Sequence, residues 1–239
     1  HWFEECLKAL HQKLGPKQTL LVEYKPFEPA FYATDIADWG MAYLHAKKAG
    51  RRAKVLVDTG HHYAAQNIEQ IVAFLLDEDM LGGFHFNDRR YADDDLTLGS
   101  IDPYQIFRIF HEIHSFAAER RRAPEIAYMI DQSHNEKPKI EATIQTVVMA
   151  QELYAKAALV DLDALRRAQA KNNVVDAELT LKKAFFTDVS PALLAWRKAN
   201  KLPADPLAAH RASGYERAAA TDRRRRRREL GLKQGGSYA

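Results

Sequence analysis

The chain contains little cysteine and no long apolar segment, and both shortages restrict what it can be. Cys6 is the only cysteine among 239 residues, so no internal disulfide can form, and we expect a reducing, cytoplasmic compartment. No apolar stretch approaches the ~20 residues of a membrane-spanning helix. The net charge is only +3, which creates no strong overall field. We therefore expect no membrane partner and no nucleic-acid partner.

The composition is that of an ordinary globular protein. Apolar residues make up 46% and charged residues 28% of the chain, which is enough for one sizeable core. The chain starts at His1 within a segment of helical pattern, WFEECLKALHQKL. We interpret it as a fragment whose front part is missing.

Four short apolar segments each end in a residue that can bind a metal. The segments are TLLVEYK, KVLVD, GGFHFN and IAYMID. Their metal-binding residues are, in the same order, Glu23, Asp58, His85 and Asp131. The distances between them along the chain are typical of repeated strand–helix units, each of ~30 residues or more. Alternating strands and helices favour a parallel sheet, in which functional sites lie at the carboxyl ends of the strands.

The predicted body has the order βαβαβαβα and is followed by helices alone. The strands are predicted at Thr19–Lys25, Lys54–Asp58, Gly82–Asn87 and Glu125–Asp131. Aspartates provide two predicted helix caps, Asp35 before the second helix and Asp102 before the fourth. No strand pattern follows residue 160, so we predict several helices there.

Alternation along the strands places the polar residues on one face. In the third strand, His85 and Asn87 share a face, whereas Phe84 and Phe86 take the opposite one. A buried carboxylate is costly unless another group pairs with it, so four such strand ends suggest one shared cation. Three carboxylates and an imidazole suit Mn²⁺ best, and Mg²⁺, Co²⁺ and Zn²⁺ are the other candidates.

A second group of metal-binding residues follows two of these strands. His61 comes three residues after Asp58, and Asp93 and Asp95 share one side of an acidic loop if that loop is extended. These three residues could hold a second metal, with Asp58 as a shared ligand. Two metals a few ångströms apart can bind both oxygens of a substrate.

Each of these residues also has a purely structural interpretation. The alternatives are a turn cap for Asp58 and Asp131, a core histidine for His85, a solvated turn for Asp93–Asp95, an ion pair between Glu23 and Lys25, and a surface pair for His61 and His62. Six independent interpretations of this kind would have to hold together, all at strand ends. The joint pattern therefore favours a metal site.

The segments that contain these residues resemble the L-rhamnose isomerase family, in its bacterial type with broad aldose specificity. The similar segments are EYKPFEPAFYATDIADWG, VLVDTGHHYAAQNIEQIVA, GGFHFNDRRYADDDLTLGSIDPYQIF, MIDQSHNEKPKIE and RASGY. The resemblance implies an α/β fold, the C-terminal half (strands five to eight) of a (β/α)8 TIM barrel of the xylose isomerase type, plus an α-helical C-terminal extension. Residues 1–160 would form the partial barrel, 161–215 the extension, and 216–239 a basic, disordered tail.

The resemblance also implies an activity for the complete protein. The reaction would interconvert an aldose and its 2-ketose, with L-rhamnose and L-rhamnulose as the defining pair and D-allose as a rarer substrate. The complete protein would be a cytoplasmic homotetramer. We expect the fragment alone to be inactive and aggregated or dimeric, because half a barrel leaves two unpaired strand edges.

Site residues follow from the same resemblance. Two divalent metals per site are implied, with Mn²⁺ as the expected ion. A structural metal would be held by Glu23, Asp58, His85 and Asp131. A catalytic metal would be held by His61, Asp93 and Asp95, with Asp58 shared. The residues that would act on the sugar are Lys25, Asp93, Asp95 and Ser133.

Two other functions stay open. Related barrel enzymes epimerise ketoses or hydrolyse phosphodiesters with similar Glu, Asp and His sites, and metal preference would discriminate among them. The arginine run Arg223–Arg228 could contact phosphates and bind nucleic acid, but no aromatic residues are interleaved with it. A solvated tail is the favoured interpretation of this run. The segment NDRRY departs from the family pattern, which leads us to expect a small residue and one lysine there.

Overall fold

Four parallel strands form a single sheet in a computed structural model that describes residues 1–27, 34–91, 94–133 and 136–232. The strands are β1 (Leu20–Glu23), β2 (Ala53–Asp58), β3 (Leu81–Phe86) and β4 (Ala127–Ile130). Their order across the sheet is their order along the chain. The predicted α/β class is therefore confirmed, whereas the assignment to one half of a barrel stays a prediction.

Helices connect the strands and follow the last one. They are α1 (Trp2–Lys13), α2 (Trp39–Ala49), α3 (Ile68–Asp77), α4 (Pro103–Arg120), α5 (Lys139–Ala157), α6 (Leu162–Ala170), α7 (Val174–Phe185), α8 (Ser190–Ala199), α9 (Pro206–Ala212) and α10 (Tyr215–Glu229). No helix within the described ranges is both long enough and apolar enough to cross a lipid bilayer. The division into a barrel part and a helical extension stays a prediction.

Capping residues explain where the helices begin, and one predicted cap is wrong. Asp102 caps α4, because its side chain accepts a hydrogen bond from the N–H of Gln105. The cap of α2 is Asp38 and not Asp35. The Asp38 side chain accepts from the N–H of Met41 at 2.9 Å, and its backbone is extended directly before the first helical residue.

Aromatic packing covers the face of the sheet that is directed at the helices. The rings of Phe84 and Phe86 stack with centroids 4.8 Å apart, and both residues are buried. Phe86 also packs against Phe110 of α4, at a centroid distance of 5.4 Å. Burial of each such side chain stabilises the fold by about 1.5–3 kcal/mol. The alternation predicted for β3 is confirmed, with the phenylalanines in the core and His85 on the other face.

The arginine run lies in a helix. Residues 216–229, which we predicted as part of a disordered tail, belong to α10, and Arg223–Arg228 are all exposed. Asp222 pairs with Arg226 at 2.8 Å, four residues further along the helix. Arginine also has a high helix propensity. The acid before the run and these propensities together explain why the run is helical.

The outer strands of the sheet each have an open edge within the part of the chain that the structure describes. There β1 pairs with β2 alone and β4 with β3 alone. Beside β4 lies an apolar groove of about 630 Å³, whose lining includes Tyr128, Val147, Leu193 and Trp196. Open edges and contiguous exposed apolar surface both favour association.

We predict that the 239-residue chain, expressed alone, self-associates through this groove and edge. Tyr128→Lys places a charge in the groove and should shift the chain towards monomer in light scattering after size exclusion. The matched control is Phe186→Lys, since Phe186 is 76% exposed and lies outside the groove. A monomeric parent chain, or equal shifts in the two variants, would contradict this expectation.

Candidate metal centre

Four side chains from the four strands converge at the carboxyl edge of the sheet. Glu23 ends β1, Asp58 ends β2, His85 is the penultimate residue of β3, and Asp131 directly follows β4. One ligand atom from each of these residues lies within 4.8 Å of the others. The structure therefore brings together the four residues that were proposed for one cation.

His85 lies among the three carboxylates. Its Nδ1 is 3.2 Å from Glu23 Oε1, 3.7 Å from Asp58 Oδ2 and 3.5 Å from Asp131 Oδ2. Parallel pairing of β2 and β3 places Asp58 directly beside His85. The hydrogen bond with Glu23 raises the pKa of His85 above its ordinary value, against the opposing effect of burial. The negative charges of the other two carboxylates add to this increase.

Asp58 is fully buried, and its two oxygens differ. Oδ1 accepts hydrogen bonds from the N–H of Gly60 at 2.7 Å and from Nδ2 of Asn87 at 2.9 Å. Oδ2 is buried and has no hydrogen-bond partner in the described structure. Burial raises the pKa of Asp58 to about 6, although His61, Asn87 and Gly60 act to lower it. A cation at the cluster would satisfy the orphaned oxygen, which is otherwise costly to bury.

Glu23 keeps its negative charge at the cluster. Burial acts to raise the pKa of Glu23, but the hydrogen bond with His85 and the charges of His61 and Lys25 lower it overall. Lys25 therefore lies close enough to act on Glu23 electrostatically. An electrostatic interaction of Glu23 with Lys25 is therefore compatible with metal binding by Glu23.

The cluster is accessible from one side. The Glu23 side chain is 35% exposed and the Asp131 side chain 55% exposed, whereas Asp58 is sealed from solvent. Three carboxylates and an imidazole with one open side suit a hard or borderline divalent cation that also takes a ligand from solution. The donor set therefore fits the predicted kind of metal.

His61 lies beside the cluster and is buried. Its Nδ1 is 2.9 Å from the carbonyl oxygen of Tyr24 and 3.4 Å from Glu23 Oε1, and its Nε2 is 3.9 Å from Asp58 Oδ2. The neighbouring His62 is fully buried as well and hydrogen-bonds the Tyr24 hydroxyl at 2.7 Å. Burial lowers the pKa of His62 to about 3, so it is neutral. The interpretation of the two histidines as a surface pair is therefore wrong.

The aspartates of the acidic run, Asp93–Asp95, do not share one structural role. Asp93 lies outside the described residues. Asp94 closes a turn, because its Oδ2 accepts hydrogen bonds from the N–H of Arg90 at 2.6 Å and of the next residue at 2.7 Å. Asp95 lies next to Ser133, whose N–H donates to the Asp95 carbonyl at 3.2 Å and whose Oγ is 3.5 Å from Asp95 Oδ2. The turn interpretation thus fits Asp94, and the structure pairs the two predicted catalytic residues Asp95 and Ser133.

Sequence reasoning missed the role of Arg89. This side chain is buried, and its guanidinium donates to three backbone carbonyls of the loop after β2, those of Thr59, His62 and Tyr63. It also donates to Oε1 of Gln105 on α4 at 3.0 Å. The loop that leads to the site from β2 is therefore anchored by a cation from the loop after β3. The unusual NDRRY segment was the signal that could have identified it.

Comparison with known proteins shows which sequences this chain is similar to. No protein-family model matches the chain. The chain is 44% identical over 219 residues to a probable sugar isomerase of Rhizobium meliloti, and equally to one of Mesorhizobium japonicum. Each match covers 92% of this chain and 51% of the relative. The chain thus spans about half the length of the curated relatives it matches.

We predict that Arg89→Ala lowers the free energy of unfolding by about 2–4 kcal/mol, because buried loop carbonyls lose their donor. Urea unfolding followed by circular dichroism measures the change. Arg90→Ala is the matched control, since Arg90 is exposed and its contact with Asp94 uses the backbone. Its effect should stay within about 0.5 kcal/mol. Similar losses in the two variants would contradict the anchoring role of Arg89.

We also predict that Asp58→Asn weakens Mn²⁺ binding by at least about 100-fold, because it removes the charge of the buried ligand. Isothermal titration calorimetry on chelator-treated chain measures the affinity. Asp163→Asn, the same change at an exposed residue of α6, should leave the affinity unchanged. Undiminished binding by the Asp58 variant would remove this residue from the ligand set.

Proposed function

We propose that this chain forms the metal-binding part of an aldose–ketose sugar isomerase. The observation that carries the proposal is the convergence of four ligand atoms, one of them from the buried carboxylate of Asp58, whose Oδ2 has no hydrogen-bond partner among the described residues. It lies at the carboxyl ends of parallel strands, where enzymes of such architecture hold their sites. Similarity to two proteins named as probable sugar isomerases supports the same class. The activity is proposed for the complete protein.

The residues present fit a divalent cation, and we propose Mn²⁺. The first ion would be held by Glu23, Asp58, His85 and Asp131. A second ion would be held by His61, Asp93 and Asp95, with Asp58 shared. When bound, such cations stabilise negative charge on adjacent oxygens of an open-chain sugar. Oxygen and nitrogen donors of this kind also accept Mg²⁺, Co²⁺ and Zn²⁺.

Asp95 is the residue to which we assign proton movement between the sugar oxygens. Its carboxylate can accept a hydroxyl proton, and the Ser133 N–H holds its backbone at 3.2 Å. The backbone of Asp95 has φ +47°, a left-handed conformation that few non-glycine residues adopt. Aspartate is among the residues that adopt this conformation most readily. The contact of Asp95 with Ser133 is therefore the observation that supports its proposed role.

Lys25 and Ser133 complete the proposed set of residues that face the sugar. The Lys25 cation acts on Glu23 at the open side of the cluster, where a sugar would enter. A positive charge there favours the negative charge that develops on the sugar oxygens. The Ser133 hydroxyl lies beside Asp95, at 3.5 Å from its Oδ2, and would orient either that carboxylate or a sugar hydroxyl.

L-Rhamnose and L-rhamnulose are the proposed substrate pair, with D-allose as a rarer aldose. The basis is the resemblance of the segments GGFHFND and MIDQSHN to the L-rhamnose isomerase family, together with the matched site residues. Because the chain spans half of its curated relatives, other parts of the complete protein would supply the remaining pocket.

We predict that Asp95→Asn lowers kcat of the complete enzyme on L-rhamnose by about 100-fold or more, because it removes the group that moves the proton. A coupled assay of ketose formation with saturating Mn²⁺ measures the rate. Asp94→Asn is the matched control, since its remaining amide oxygen can still accept the turn hydrogen bonds. Unchanged turnover and unchanged metal content in the Asp95 variant would defeat the assignment.

A further inference from the structure

Asn87 contacts the cluster of candidate metal ligands without being one of the ligands. It directly follows β3 and is completely buried. Its Nδ2 donates to Asp58 Oδ1 at 2.9 Å, and its Oδ1 lies 3.2 Å from the hydroxyl of Thr59. The same hydroxyl accepts from the Asn87 N–H at 3.0 Å and lies 2.8 Å from the Asn87 carbonyl oxygen. Both the backbone and the amide of Asn87 are therefore fixed against the segment that contains Asp58.

Gly60 makes this close approach possible. A Cβ atom at Gly60 would lie 2.5 Å from Oδ1 of Asn87, which is closer than real contacts allow, and 3.1 Å from its Cγ, which is tight. The N–H of Gly60 donates to Asp58 Oδ1 at 2.7 Å, so two donors meet at one carboxylate oxygen. Because glycine has no side chain, both donors can reach Asp58.

The consequence is a carboxylate with two unequal oxygens. Asp58 Oδ1 has two donors, whereas Oδ2 has none among the described residues and lies 3.7 Å from His85 Nδ1 within the ligand cluster. An amide is suited to this task because it donates a hydrogen bond without carrying charge. A cationic donor in its place would neutralise Asp58 and compete with a metal ion.

We infer that Asn87 is a positioning residue for the proposed metal site. It holds Asp58 Oδ1, so that Oδ2 alone is presented to the metal site, and any ion that Asp58 binds, including one that it shares, is bound through that oxygen. Metal affinity then depends on a residue that never touches the metal, as is common for groups that orient ligands. The inference rests on the proposed function.

The variant Asn87→Asp tests this inference, because it keeps the shape and the Thr59 contact while replacing the donor with a second carboxylate oxygen. We expect the Mn²⁺ affinity of the chelator-treated 239-residue chain to fall about 10–100-fold. Calorimetry gives the affinity, and the electron paramagnetic resonance spectrum of bound Mn²⁺ should change as Asp58 alters its binding mode. A purely structural role would not alter that spectrum.

Asn67→Asp is the matched control. Asn67 caps α3 through its Oδ1, which accepts from the N–H of Gln70 at 2.9 Å, so the same substitution keeps the cap and adds the same charge elsewhere. The Mn²⁺ affinity and spectrum of this variant should equal those of the parent chain.

Asn87→Ala decides the question if Asn87→Asp does not fold, as judged by circular dichroism. It removes the donor without adding a charge, and we expect affinity to fall about tenfold. Equal or tighter Mn²⁺ binding by a folded Asn87 variant, with the parental spectrum, would overturn the positioning role alone. A parent chain that binds no Mn²⁺ would overturn the proposed metal site as well.

Discussion

The fully buried carboxylate of Asp58 is the constraint on which the rest of the site depends. Removal of an ionised carboxylate from water costs several kcal/mol unless its oxygens are satisfied. Two donors satisfy one oxygen, and the other faces an imidazole and two more carboxylates. Like charges so close together destabilise one another, and a positive charge at their centre would offset both this repulsion and the burial.

The parallel sheet converts sequence spacing into this convergence. Each strand contributes its carboxyl end to the same edge, and the pairing of β2 with β3 sets Asp58 beside His85. Alternation along β3 directs Phe84 and Phe86 into the core while His85 takes the face of the site. The same local rule thus supplies both the hydrophobic stabilisation and the polar cluster.

Local patterns explain which features could be predicted from the sequence. Short apolar segments with polar ends were sufficient for the four strands and for the meeting of their terminal residues. Strands β1 and β4 are shorter than predicted, because pairing stops at Glu23 and Ile130 while the extended pattern continues into the loops. The bounds of β2 and β3 differ from the prediction by one residue at most at either end. The wrong cap at Asp35 has a similar cause, since two aspartates compete within four residues and only geometry selects Asp38.

Long-range contacts explain what could not be predicted. Arg89 donates to carbonyls 26–30 residues earlier in the chain, and Asn87 reaches a carboxylate 29 residues away. Nothing in the neighbouring residues specifies such partners, because they depend on how two loops meet in the fold. Only the unusual composition of NDRRY pointed to one of them.

The positions of Glu23 and Asp131 on the outer strands have a consequence for the shape of the sheet. Glu23 and Asp131 come from the two outer strands, which in a flat four-stranded sheet stand about 14 Å apart. One ligand atom of Glu23 and one of Asp131 nevertheless lie within 4.8 Å of each other, a separation that we attribute to the reach of the side chains together with curvature of the sheet. A cation bound there would link the two outer strands, β1 and β4, and would favour the curved form of the sheet. Because an ion that prefers the bent form stabilises it by mass action, curvature and ion occupancy would be thermodynamically linked.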